Sequence, residues 1–249
     1  RDNYELSVRI IALKGLKGIG PKVVSDFLGE VFDKTGSYEI DFKLIKRTKI
    51  KRLSKLVENG LDEDVWNFEC QKARKIIEES VTKGIKTINF TDDEYPKELN
   101  VLDTREKPLI LFVKGNEKLL YEGKRVAIIG TREPTTFAGK MRQRITEKIS
   151  EAEFIVVSGL AKGCDCLAHE MASIKNGRTI AILAHGLDLP VYPKENRELA
   201  NDILRNGGAL VSEYPIKTSL RPNYLVERDK WQSGMSSGVI MIESSERDL

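Results

Sequence analysis

An α/β fold, an extended Rossmann-like doubly wound parallel sheet preceded by a small helical domain, is predicted by three observations. Five runs, 125–129, 154–157, 179–183, 209–211 and 239–242, are nearly all-apolar, as strands covered on both faces must be. Between them apolar residues recur every four positions (Met141, Ile145 and Ile149; Leu167 and Met171; Leu199 and Ile203), the buried stripe of amphipathic helices. The first hundred or so residues read instead as short helices, so composition shifts along the chain. The expected division is 1–90 and 91–249.

Taken in order, the helical part opens with Leu13 to Lys22, a Gly-Ile-Gly turn between two helical stretches with Pro21 suited to the first helical position. This resembles a helix-hairpin-helix, or SAM-like, motif. Gly18, Ile19, Gly20 and Lys22 are its candidate phosphate contacts, because free N–H groups at such a turn touch a DNA phosphate without reading sequence. A hairpin kept for packing alone fits the same residues. Lys43, Lys46, Arg47, Lys49, Lys51, Arg52 and Lys55 follow, with no acidic residue from 42 to 57, a run that either tracks a phosphate backbone or forms a solvated helix face. Tyr95-Pro96 then marks a turn, and 108–116 reads as a strand ending in Gly115-Asn116 that joins the sheet.

In doubly wound sheets ligands bind beyond the carboxyl ends of the strands, so the loops there carry the candidates. Gly130-Thr131-Arg132 follows the first long run, with a helix expected from about Phe137. A small residue, a hydroxyl, a forked cation and a helix N-terminus together suit an anion. Ser158-Gly159-Leu160-Ala161-Lys162-Gly163 repeats the logic, with Asp165 expected to cap the next helix. Both loops equally fit close-packed turns. The spacing is not G-x-G-x-x-G and no acidic residue closes the second strand, so a dinucleotide is disfavoured. His169 reads as a structural imidazole, while His185 at a strand end is expected to face ligand. Tyr192-Pro193 to Asn196, Ser212 to Pro215 and Glu227 to Gly234 add aromatic faces, an amide and cations suited to stacking bases of a single strand. Glu213 and Asp229 are expected to cap helices or form ion pairs rather than act as a catalytic pair.

The 249 residues, 40% apolar and 32% charged with 19 Gly and 8 Pro, describe a globular chain with no run long enough to span a bilayer. A net charge of +3 is too small to imply nucleic acid by itself. Cys70, Cys164 and Cys166 are expected to be reduced core thiols, and two His without metal-ligand spacing disfavour a metal site. The start at Arg1 has no signal-like stretch, so a trimmed piece of a cytoplasmic protein is expected.

The Gly-Ile-Gly-Pro hairpin, Tyr95-Pro96 to Leu99, Pro108 to Gly115, Gly130-Thr131-Arg132, Ser158 to Gly163 with Asp165 and His169, Arg178 to Ala181, Gly186-Leu187-Asp188, Tyr192-Pro193 with Asn196, and Ser212 to Pro215 occur in one order. That order resembles the DprA/Smf family, the DNA-processing proteins of bacterial natural transformation. The resemblance implies a non-catalytic protein without cofactor or metal. It would bind and protect incoming single-stranded DNA, help load a RecA-type recombinase, and form a homodimer. By match of position, Gly130, Thr131, Arg132, Ser158, Gly159 and Lys162 would hold phosphate, with Asn196, Arg228 and Lys230 as pocket or base contacts. Where the family reads F-P-x-R-N-R-I-I-A-G-L-S, residues 225–236 carry Asp229 and add Glu227, which places negative charge beside the expected phosphate pocket. The family pattern also implies a further helix and strands beyond Leu249. The alternative reading is a Rossmann-type sensor or hydrolase of a nucleotide derivative. Against the hydrolase, Gly207-Gly208-Ala209 does not supply the P-G-G-x-G-T-x-x-E signature of phosphoribohydrolases.

Overall fold

The computed structural model describes residues 2–103 and 106–243. Helices α1 (Asp2–Gly15), α2 (Pro21–Thr35), α3 (Phe42–Lys46), α4 (Lys51–Glu58) and α5 (Glu63–Thr82) come first. Pro21 stands in the first turn of α2, where a missing N–H costs nothing, and Gly36 ends that helix in the left-handed region at φ 71°. Asp41 and Asp62 cap α3 and α5 by accepting the amides of Leu44 and Val65.

The strands are β1 (Ile85–Asn89), β2 (Ile110–Gly115), β3 (Arg125–Ile129), β4 (Ile155–Ser158), β5 (Thr179–Leu183), β6 (Ala209–Ser212) and β7 (Gly238–Met241). Among the described residues they form one sheet in the order β1-β2-β6-β5-β4-β3-β7. From β6 to β7 every pairing is parallel, whereas β1 and β2 add two antiparallel strands at one edge. The five predicted runs are the five parallel strands. The one strand not predicted, β1, lies before residue 90, so the first ninety residues contribute to the sheet as well as to the helices.

Helices α6 (Thr136–Glu151), α7 (Cys164–Lys175) and α8 (Arg197–Arg205) connect these strands, and α9 (Pro222–Gly234) precedes β7. Strand alternation assigns the faces. Val156 of β4 packs with Ala168 and Ala172 of α7, while Ile155 and Val157 pack with Trp231 of α9 and Met235, which caps it. Helices α7 and α9 therefore cover opposite faces. One apolar cluster runs without a break from Leu6, Ile10 and Leu13 of α1 through Trp66 of α5 to Phe112, Leu183 and Leu210 of the sheet. The helical part is thereby fastened to the sheet's β2 end.

Leu199 and Ile203 are buried as the four-residue spacing requires. The α6 stripe is not. That helix buries Ala138, Arg142, Thr146 and Ser150, while Met141 is exposed. Leu167 and Met171 of α7 are half-buried, and the inward face of that helix carries Cys164, Asp165, Ala168, His169 and Ala172. All three cysteines are free thiols, with Cys166 half-buried rather than in the core. Among the described residues no helix is long and apolar enough to cross a membrane.

Candidate functional site

Strand order reverses at β3, whose neighbours β4 and β7 lie on either side, and the crevice beyond their carboxyl ends is where such sheets take ligands. A cavity of about 230 Å³ lies there, lined by Ile129, Gly130, Thr131, Arg132, Ala161, Asp165, Arg228, Asp229, Gln232, Ser233, Met241 and Glu243. The two predicted loops do meet at it, but many of their groups serve the fold. A Cβ on Gly130 would stand 2.6 Å from Cys164 Sγ, and one on Gly163 2.5 Å from the Thr131 carbonyl oxygen. These two glycines therefore permit one loop to lie on the other. Ser158 is buried and donates to the Ile128 carbonyl at 2.6 Å, so its hydroxyl is engaged beneath the loop.

The loop after β4 is held from three sides. Leu160, fully buried, sits at φ 56°, a conformation unusual for a residue with a Cβ. Asn196 Nδ2 donates to the Leu160 carbonyl at 2.8 Å. Asp165, expected to cap its helix, instead accepts the Gly159 amide at 3.0 Å. Its position inside the first turn of α7 turns the carboxylate back onto the loop, and burial pushes its pKa up despite the attraction of Arg228. Arg228 donates to the carbonyls of Gly159 at 2.8 Å and Ile182 at 3.3 Å and pairs with Asp229 at 2.9 Å. It is thus a buried wall of the crevice whose donors are taken, and Asn196 is a buried support.

Two predicted cations point elsewhere. Lys230 pairs with Glu227 at 3.2 Å, and neither lines the crevice, so of the two acidic departures in 225–236 only Asp229 lies at it. Lys162 makes an exposed pair with Glu195 at 3.4 Å. Arg132 is exposed at the crevice and has no ion pair among the described residues. One residue sequence reasoning missed is Glu243. Its carbonyl accepts the Thr131 amide at 2.8 Å, and its carboxylate accepts the Thr135 amide at 2.8 Å and the Thr135 hydroxyl at 3.1 Å. Only the parallel pairing of β3 with β7 brings positions 108 residues apart together.

The expected aromatic faces are largely spent. Trp231 is buried and donates Nε1 to Glu213 at 3.1 Å. Tyr214 is buried against Tyr224, ring centroids 4.0 Å apart, leaving Tyr192 exposed. His185, expected to face ligand, is buried with Nδ1 on the Gly186 carbonyl at 2.9 Å. His169 Nδ1 bonds Thr179 Oγ1 at 2.7 Å, and burial lowers its pKa to about 3, which keeps it neutral. Among the described residues no group of three or more His, Cys, Asp or Glu could hold a metal ion.

A second region lies at the hairpin. Gly18, at φ 78°, Gly20, Lys22, Lys49, Lys51 and Arg52 line a groove of about 640 Å³, together with one acidic residue, Asp26. Neither α2 nor α4, which start there, has a side-chain cap, so their first N–H groups are left to other acceptors. Ile19 is buried and anchors the turn. Arg52 donates to the Gly18 carbonyl at 3.2 Å; none of the four cations forms an ion pair among the described residues. Gly20 and Lys22 also line a cleft of about 630 Å³ that runs under Lys14, Lys107 and Glu213 to Tyr224 and Glu227 of α9. Burial lowers the Lys14 pKa, opposed by Glu213.

A family model described as DNA recombination-mediator protein A matches residues 86–248. DNA processing protein DprA of Bacillus subtilis is 34% identical over 165 residues, 66% of this chain and 54% of that protein. Protein Smf of Escherichia coli is 33% identical over 153 residues, 61% of this chain and 40% of that protein. The chain spans about half the length of the curated relatives it matches. A crystal structure of DNA processing protein A from Streptococcus pneumoniae superposes with TM-score 0.72 at 26% identity, covering 99% of this chain and 79% of that one. One from Helicobacter pylori, described for its single-stranded DNA binding mode, gives 0.58 at 27% identity over 66% of this chain and 71% of that one.

Proposed function

The chain belongs to the DNA recombination-mediator protein A family, DprA/Smf, and on that premise we propose that it binds single-stranded DNA without catalysing a reaction on it. The observation that carries this reading is Arg132. An exposed guanidinium that forms no ion pair among the described residues, at the switch-point crevice beside the start of α6, is suited to a phosphate. The hairpin groove with Lys22, Lys49, Lys51 and Arg52 offers further phosphate contacts, and the cleft joins the groove to α9. Within this proposal Gly130 and Thr131 form the crevice floor. Ser158, Gly159 and Asn196 fix the loop rather than touch the strand, and Lys162 and Lys230 exchange weak surface pairs for phosphate. Residues 1–90 and 91–249 would supply one contact region each.

Protection of incoming strands, loading of a RecA-type recombinase and assembly as a homodimer complete the proposal and rest on family membership. Oligo-dT titrated across a salt series tests the binding reading. Arg132→Ala is expected to weaken binding by a similar factor for all sequences and to reduce the salt slope by roughly one. An unchanged slope and affinity, or equal binding of duplex, would count against it.

A further inference from the structure

Two backbone donors at the crevice, the amides of Thr131 and Thr135, are already taken by Glu243. Glu243 occupies the start of α6 with its carboxylate on the Thr135 amide and hydroxyl, and its carbonyl takes the Thr131 amide. Three carboxylates, Asp165, Asp229 and Glu243, line the cavity with two cations, of which Arg228 is consumed by Asp229 and backbone carbonyls. The same cavity is lined by Gln232, 2% exposed, whose Oε1 has no hydrogen-bond partner.

We propose that Glu243 sets the specificity of the crevice: its carboxylate is a resident anion, and a phosphate enters only by displacing it. This rests on the reading that the crevice takes a strand's phosphate. Displacement exacts a fixed free-energy cost, because charge-assisted bonds to the α6 start are lost before new ones form. A polymer that also engages the hairpin groove offsets that cost, whereas a lone phosphate or mononucleotide does not. The crevice thereby selects a strand over the free nucleotides that surround it.

Glu243→Gln keeps an acceptor for Thr135 and removes the charge. The substituted protein is expected to bind oligo-dT on the order of tenfold more tightly, and dTMP with at least that gain. Inorganic pyrophosphate should shift the Thr131 and Thr135 amide resonances of this variant at concentrations that leave the wild type unmoved. Adding Arg132→Ala should reverse the gain. A folded Glu243→Gln that binds pyrophosphate no better than wild type overturns the proposal. A pyrophosphate gain with oligo-dT bound by neither protein supports the exchange and instead overturns the DNA reading. A second measurement needs no variant: at high pyrophosphate, the amides of Thr131, Thr135 and Glu243 in the wild type should shift together, and shifts that leave Glu243 unmoved overturn displacement.

Discussion

A methyl group at position 159 would stand 2.5 Å from the Arg228 guanidinium. Gly159→Ala must therefore push out the side chain that ties the loop to α9, and is expected to cost about 1–3 kcal/mol in urea unfolding. The sequence showed Gly159 as a small hinge and Arg228 as a cation. Their contact spans 69 residues, and no local pattern encodes it. His169 is held neutral with a pKa of about 3, below its ordinary value of 6.5, so the unfolded chain binds more protons between those values. Its contribution to stability is present above pH 6.5 and lost as pH falls towards 3, at up to about 1.4 kcal/mol per pH unit. Asp165 works in the opposite sense. Its folded pKa is raised above 3.8, so its contribution falls as pH rises through that window. Asp165→Asn is expected to match or exceed wild-type stability at pH 7, with the difference shrinking towards pH 4. A variant clearly less stable at pH 7 would show that the carboxylate's charge is needed.

Helix α6 shows why one apolar stripe misled. Met141, Ile145 and Ile149 have the right period, yet it is the adjacent row of Ala138, Arg142, Thr146 and Ser150 that is buried, on a helix that packs against α7. Period alone identifies a helix; which row is buried depends on the partner. Thr146 is fully buried and its hydroxyl has no hydrogen-bond partner. Thr146→Val keeps the branched shape and is expected to raise stability by about 1 kcal/mol, read as a higher midpoint in thermal unfolding. A lower midpoint would mean that the hydroxyl is paired. Strand β1 escaped notice for a related reason. Its five residues begin after only Lys83 and Gly84, the latter at φ 69°, and pairing with β2 is what makes them a strand.

The helical part and the sheet share a core, so the whole chain is expected to unfold in one step. Far-ultraviolet dichroism and tryptophan fluorescence should give coincident transitions, since Trp66 lies in α5 and Trp231 in α9. Separate midpoints would sink that expectation. At this scale the sequence was legible: the parallel strands stand where composition and spacing placed them, and the two strand-end loops singled out meet at one crevice. What escaped was long-range, as with Glu243 reaching the start of α6 and Trp231 entering the core. Tyr224 and Glu227 of α9 line the long cleft, while Arg228, Asp229, Gln232 and Ser233 line the crevice. A rigid rod that walls two cavities makes them thermodynamically linked: any occupant of the cleft that tilts it alters affinity in the crevice by some factor, and the crevice's occupant returns the same factor to the cleft.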